Sequence, residues 1–329
     1  MTMRRSWAAL LPACALAGMA LAAPMAAASQ AYPNRPVTLT TWSAAGGPID
    51  TLARLLASGL SEQWGQPVVV ENRTGASGTI AAQAVARAPA DGYTLLLTTS
   101  TAHISNAILQ PKLTYDPEHD FTPVAQVAAG TVLLLARADA PFDNLDELVA
   151  YARKQPDGMS FGSWGVGTSG HLYGELLKQK YDVPLLHVPY RGDMPASQDL
   201  LGGTLPLTFA GGTTARTLIE SGRAKALGLT SAERAAALPQ VPTFKEQGYD
   251  GFDLVGWAAI FAPAGVPSAI VEQIAGDVAT LLQREDVRRK LSEMGQDAMY
   301  LPPAQFAPRI AEDFKRWGEL IEQAGVKPE

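Results

Sequence analysis

The chain has 329 residues, 47% of them hydrophobic, with 26 basic against 32 acidic side chains and a single cysteine. A formal charge of −6 without any run of Lys or Arg argues against nucleic acid or an anionic membrane as partner, because phosphate is bound by clustered cations. One cysteine leaves no internal disulfide and no cysteine–zinc site, so folding rests on a hydrophobic core, or on two if the chain divides into domains.

Met1–Arg5 is short and basic, Trp7–Leu21 is nearly all apolar, and "AAASQA" supplies small residues for cleavage. This is the pattern of a secretory signal peptide. A membrane-spanning helix is the alternative, but it needs roughly 20 apolar residues, and Pro12 and Gly18 interrupt this run. The expected cut follows Ala31, with Ala28 as second choice. A lipid-attachment reading of Cys14 in "LPAC" fails because too few residues separate it from Arg5. Cleavage removes Cys14, Arg4 and Arg5, moving the charge from −6 to −8 and leaving about 298 residues.

In the mature chain, strand-like runs alternate with helix-length segments: "VTLTTW", "IDTLARLLASGLSEQW", "PVVVEN", "GTIAAQAVARA" and "YTLLLTTS". Such alternation predicts parallel βαβ units and an α/β fold. The first helix carries Ile49, Leu52, Leu55, Leu56 and Leu60 near a 3.6-residue period, and opens at Gly46, Gly47 and Pro48 with Asp50 in its first turn. A second set follows "ARADAPFDNLDEL", with strands at "MSFGSW", "LLHVPY", "LPLTFA" and "KALGLT" and helices at His171–Lys180, Pro195–Leu201 and Thr214–Ser221. Helices at Ser268–Gln283, Asp286–Met294 and Pro303–Ala324 are expected to return to the first unit. The boundaries that follow are a first lobe of 32–137 plus 257–329 and a second of 138–256, joined by crossovers near Arg137 and Trp257.

Gly165, Gly167 and Gly170 fit the dinucleotide-binding pattern G-x-G-x-x-G between a strand and a helix. A Rossmann turn requires an acidic residue at the end of the next strand, where "LLHVPY" ends in Tyr190. No nicotinamide or other cofactor is therefore expected. What remains is a turn that exposes backbone N–H groups at a helix N-terminus, which suits an anion.

The stretches "AAGGPIDTLARLLASGLSEQWGQPVVVENRTGASG", "APADGYTLLLTTS", "YDPEHDFTPV", "GVGTSGHLYGELL", "HVPYRGDMPASQDLLGG", "LTSAERAAALPQVPTFKEQG" and "FAPAGVPSAIV" span essentially the whole mature chain. In that order they resemble the Bug family, the extracytoplasmic solute receptors of tripartite tricarboxylate transporters. The resemblance implies a type II-like periplasmic binding protein: two Rossmann-like lobes closing on a small carboxylate, a monomer serving membrane transporter subunits or a sensor ectodomain. It places ligand-binding residues at Trp42, Ser43, Ala44, Ala45 and Gly46 of the first turn, and at Thr99, Ser100 and His103 beyond the strand "YTLLLTTS". In the second lobe the expected residues are Ser163, Trp164, Gly167, Thr168 and Ser169, and Ala210; Ser43, Ser163, Thr168 and Ser169 add hydroxyl donors at the two turns, the alternative being that these Gly and Ser residues merely cap helices and form turns.

Relatives usually carry a proline and an aromatic where Trp42 and Ser43 stand, a small residue at Trp164 and often an acidic residue at Ala210. These departures predict a pocket that has lost a negative group and gained indole surface, hence an aromatic or flat ligand. Packing of either tryptophan between strand and helix is the alternative.

Catalysis is the competing class, with Ser169 as nucleophile and His171 as base. No G-x-S-x-G elbow surrounds Ser169. His103, His119 and His187 have no metal-ligand spacing, and a structural hydrogen bond suits His103 as well as ligand contact does. Arg191, beside Gly192 and Asp193, reads as a solvated turn more than as a carboxylate clamp. Arg73 is ambiguous, although Thr74, Gly75, Ser77 and Gly78 form a third Gly-rich helix entrance.

Overall fold

The computed structural model describes residues 32–110, 112–235 and 238–327. The expected signal peptide, its cleavage sites and Cys14 lie outside the described residues.

Strands β1 (Val37–Thr41), β2 (Val68–Asn72) and β3 (Thr94–Thr99) run parallel, linked by helices α1 (Pro48–Trp64) and α2 (Thr79–Ala86). Helix α1 buries Ile49, Leu52, Leu56 and Leu60 against the sheet, each leucine contributing about 1.5–3 kcal/mol. It starts at a proline, whose missing N–H would be unbonded anyway, and stops at Gly65 in the left-handed conformation. A π-type turn at Thr101–Ser105 runs into the short α3 (Asn106–Leu109), followed by β4 (Phe121–Gly130).

The next strand, β5 (Val132–Arg137), belongs to a different sheet. The first crossover is therefore at Thr131, which corrects the expected boundary near Arg137. The reason is physical: β4 and β5 are both apolar and separated by one residue, so no turn signal marks where the chain changes sheets. The second lobe continues with α4 (Leu145–Ala152), β6 (Met159–Ser163), α5 (Ser169–Tyr181), β7 (Leu185–Pro189), α6 (Asp193–Gly202), β8 (Leu207–Gly211), α7 (Gly212–Glu220) and β9 (Ala224–Leu229). Strand β10 (Gly256–Pro263) returns to the first sheet, followed by α8 (Ser268–Gln283), α9 (Glu285–Glu293), β11 (Gln296–Leu301) and α10 (Pro303–Gln323).

The sheets are ordered β11-β4-β10-β3-β1-β2 and β7-β6-β8-β5-β9. Only β1–β3 and β6–β8 form parallel pairs; β4, β10 and β11 in one sheet, and β5 and β9 in the other, pair antiparallel. Both sheets are thus mixed rather than parallel throughout. One continuous apolar cluster joins the lobes, with Phe306 and Trp317 of α10 packed among residues that include Tyr173 of α5 and Phe209 of β8. The Tyr173 hydroxyl donates to the carbonyl of Leu254, just before the return crossover.

Candidate functional site

Strand register brings the candidate turns together. Gly130, the last residue of β4, pairs with Gly256, the first of β10, and Ala258 of β10 pairs with Thr99 at the end of β3. Val132, the first residue of β5, pairs with Gly211 at the end of β8. The carboxyl ends of β1 and β3 therefore face those of β6 and β8 across the two crossovers, which is where open α/β sheets bind ligands.

At the first turn, β1 delivers the chain into Trp42–Gly47 and α1. Asp50, 1% exposed, ties the turn to its helix: its carboxylate accepts from Gly46 N at 2.8 Å, Asn72 Nδ2 at 2.7 Å and Arg54 Nε at 2.9 Å. The Arg54 guanidinium, aided by Asn72 and the Gly46 N–H, holds the carboxyl down at about 2. Asn72 also donates to Ser43 O, and the Ser43 hydroxyl is turned to Ala44 O. Of the expected donors, the Gly46 N–H and the Ser43 hydroxyl are thus already engaged. Ala44 and Ala45 are exposed, their N–H groups bonded to no described group, and no side chain caps α1.

The second turn is held by imidazoles. Ser163, fully buried, lies 2.7 Å from His187 Nε2 and exchanges hydrogen bonds with Gly165. Gly167 N donates to His171 Nδ1 at 3.0 Å, and the two imidazoles stack with centroids 4.0 Å apart. Burial keeps both neutral, lowering His171 to about 4 and, with the His171 charge adding to the effect, His187 to about 3. The Thr168 hydroxyl donates to Gly165 O, so the first turn of α5, which begins at Ser169, has no side-chain cap. Leu109 of the first lobe lies against Gly167, where a Cβ would come within 3.0 Å of it.

The remaining expected residues divide. Ser100, 1% exposed, accepts from Trp257 N at 3.3 Å and so anchors the return crossover, while Thr99 Oγ1 accepts from Ala102 N. His103 is a correction: it is 1% exposed, stacked on Phe261 and bonded through Nε2 to Pro117 O, inside the core of the first lobe rather than at the cleft. Ala210 is fully buried among Leu133, Leu200 and Leu229, because its position in β8 points it into the sheet's packed face. Trp42 packs over Gly78, where a Cβ would meet its Cγ at 3.3 Å, and Trp164 covers Gly170, where a Cβ would meet its Cζ3 at 2.9 Å. Each indole fills a gap made by a glycine within its own lobe.

Asp193 was the residue missed. The sequence around it reads as a solvated turn, yet its Oδ2 accepts from Gly211 N at 3.0 Å, beside Ala210, and burial raises the carboxyl to about 6. A carboxylate therefore stands beside Ala210 at this end of β8. The only signal was Gly192, whose φ of 120° is open to glycine and turns the chain inward there.

The hydrolytic constellation does not assemble: His171 Nδ1 is occupied by Gly167 N, and Ser163, which does meet a histidine, is wholly buried. Arg73 pairs with Glu71 at 2.9 Å, and Arg191 is exposed. Among the described residues there is no cluster of three potential metal ligands and no helix long and apolar enough to cross a membrane. Two surface cavities, one of about 380 Å³ beside Asp146 and Tyr249 and one of about 510 Å³ beside Arg288 and Gln296, lie away from the turns.

Two α/β lobes, two crossovers and opposed helix N-termini define a two-lobed solute-binding protein. Residues 52–326 match the family described as Tripartite tricarboxylate transporter family receptor. Protein BugT of Bordetella pertussis is 34% identical over 313 residues, covering 95% of this chain and 95% of BugT. The structure of periplasmic binding protein BugD superposes with a TM-score of 0.79 at 35% identity, covering 91% of this chain and 100% of BugD. Rpa4515 of R. palustris, solved with adipate, gives 0.83 at 36% identity, with 91% and 100% covered. The chain belongs to this family of receptors, the Bug proteins, which are periplasmic solute-binding proteins and not enzymes.

Proposed function

We propose that this receptor, exported by its signal peptide and acting as a monomer, captures a small carboxylate between the N-termini of α1 and α5. It then presents the closed form to the membrane subunits of a tripartite tricarboxylate-type transporter or to a sensor ectodomain. The observation that carries the reading is the pair of uncapped helix starts facing each other across the crossovers. Each offers backbone N–H groups and the positive end of a helix dipole. Gly130 and Gly256, paired side by side at the crossovers, are the natural hinge, and a ligand touching both lobes favours closure through its greater affinity for the closed state. The adipate bound to Rpa4515 supports a carboxylate as ligand class. The packing of Trp42 and Trp164 within their own lobes gives no support to an aromatic preference.

A thermal-shift screen of the mature protein against mono-, di- and tricarboxylates and their methyl esters tests this. An acid at a hundredfold excess over its Kd should stabilise by about 2.7 kcal/mol, its ester should not, and scattering should show a smaller radius of gyration. Stabilisation by esters and acids alike would overturn the reading.

A further inference from the structure

The carboxylate of Asp193 lies at the edge of the second lobe that faces the crossover. Gly211, whose N–H it accepts, pairs with Val132, the first residue after Thr131, and the following N–H, of Gly212, donates to Thr131 O at 3.1 Å. The first lobe also comes close at Gly212, where a Cβ would stand 2.7 Å from Gly295 O. Asp193 is thus at the floor of the crevice between the lobes, partly accessible but deep.

No Lys, Arg or His nitrogen of the described residues lies within 4.0 Å of this carboxylate, although fifteen other ion pairs form in the molecule. Among the described residues its support is the Gly211 N–H and the Thr214 side chain, both at the start of α7. Burial outweighs that support, leaving the carboxyl at about 6. A deep, uncompensated carboxylate is costly unless something else completes it. At α7 the Gly211 N–H is taken by Asp193, as the Gly46 N–H before α1 is by Asp50; unlike Asp50, which has Arg54 beside it, Asp193 has no cationic partner among the described residues.

We propose that Asp193 determines ligand specificity, receiving an ammonium or other cationic group of the ligand at the crevice floor and excluding a second carboxylate from it. Resting on the proposed capture of a carboxylate, this makes the preferred ligand a monocarboxylate with a positive charge at its far end. An opposite charge against Asp193 is attracted and a like charge repelled, so the two ligand classes separate by the sum of both effects.

The test is calorimetric titration of the mature protein with 6-aminohexanoate against adipate, and 4-aminobutyrate against succinate. The native receptor should bind the amino member of at least one pair about tenfold or more tightly. Asp193→Asn keeps an acceptor for Gly211 N–H and should abolish or reverse that preference; Asp193→Ser, which keeps a hydroxyl acceptor at the helix start, should do the same and serves if the amide variant does not fold. Equal or tighter binding of the dicarboxylates by the native protein, or an unchanged ratio in a folded variant, overturns the proposal while leaving carboxylate capture intact. Binding of neither class overturns carboxylate capture and the proposal with it.

Discussion

The two turns that face each other across the cleft have the same outline, strand then Gly-rich turn then uncapped helix, but they are fastened by opposite chemistry. In the first lobe a buried carboxylate, Asp50, gathers a backbone N–H, an amide and a guanidinium. In the second a stacked pair of neutral imidazoles, His171 and His187, grips Gly167 N and Ser163. The lesson is that an anion-accepting helix start is common physics, whereas the means of holding it still is local. Charge in one lobe and neutrality in the other make the two turns respond differently to substitution and to acid.

The largest effect is expected from Asp50→Ala. It removes an acceptor shared by three donors and strands the Gly46 N–H and Asn72 amide, so denaturant unfolding should report a loss of about 3 kcal/mol. Carboxylate affinity should fall with it. A loss confined to a few tenths would mean that Pro48 and the backbone fix the turn unaided.

Gly170→Ala is expected to cost about 2 kcal/mol by overpacking, because the added Cβ would lie 2.9 Å from both Trp164 Cζ3 and Phe209 Cβ and 3.2 Å from Ser163 Cβ. Trp164→Ala combined with it should recover part of that loss, a coupling that a double-mutant cycle reads directly. Strict additivity would show that the indole does not wedge the second turn.

The sharpest discriminator between the two turns is pH. His171 and His187 have folded-state values below their ordinary 6.5, so their stabilisation is complete above 6.5 and is lost as pH falls towards about 4 and about 3. Asp50, also depressed, contributes fully above its ordinary 3.8 and loses its contribution only as pH falls towards about 2. The protection of the Gly167 amide against exchange, relative to its intrinsic rate at each pH, should therefore fall on acidification before that of the Gly46 amide does. His187→Ala, at a cost of about 1 kcal/mol for the lost Ser163 bond, should flatten the part of the profile between 6.5 and 4. Simultaneous loosening of both turns would erase the distinction.

Much of this was legible in the chain. Helix α1 is written in the spacing of Ile49, Leu52, Leu56 and Leu60, and β1, β2, β3, β6, β7, β8 and β9 in short apolar runs bounded by Gly, Pro and Asn. Strands β4, β10 and β11 were not, because antiparallel partners distant in sequence leave no repeating signal, and the junction at Thr131 is hidden inside one apolar stretch. The turns at Ser43 and Ser163 could be picked out by their glycines. His187 as partner of Ser163 could not, since register in a parallel pair, Phe161 with His187, decides it.

The sequence by itself determined two α/β units and the Gly-rich turns that lead from strand into helix at Ser43 and Ser163, because each depends on neighbours within a few residues whose chemistry is local. Only the tertiary structure decided that His103 is buried, that Trp42 and Trp164 fill glycine gaps, and that Asp193 reaches Gly211 across eighteen positions of chain. Those outcomes depend on which strand lies beside which and on what water can reach, and both are fixed by the packing of the whole molecule.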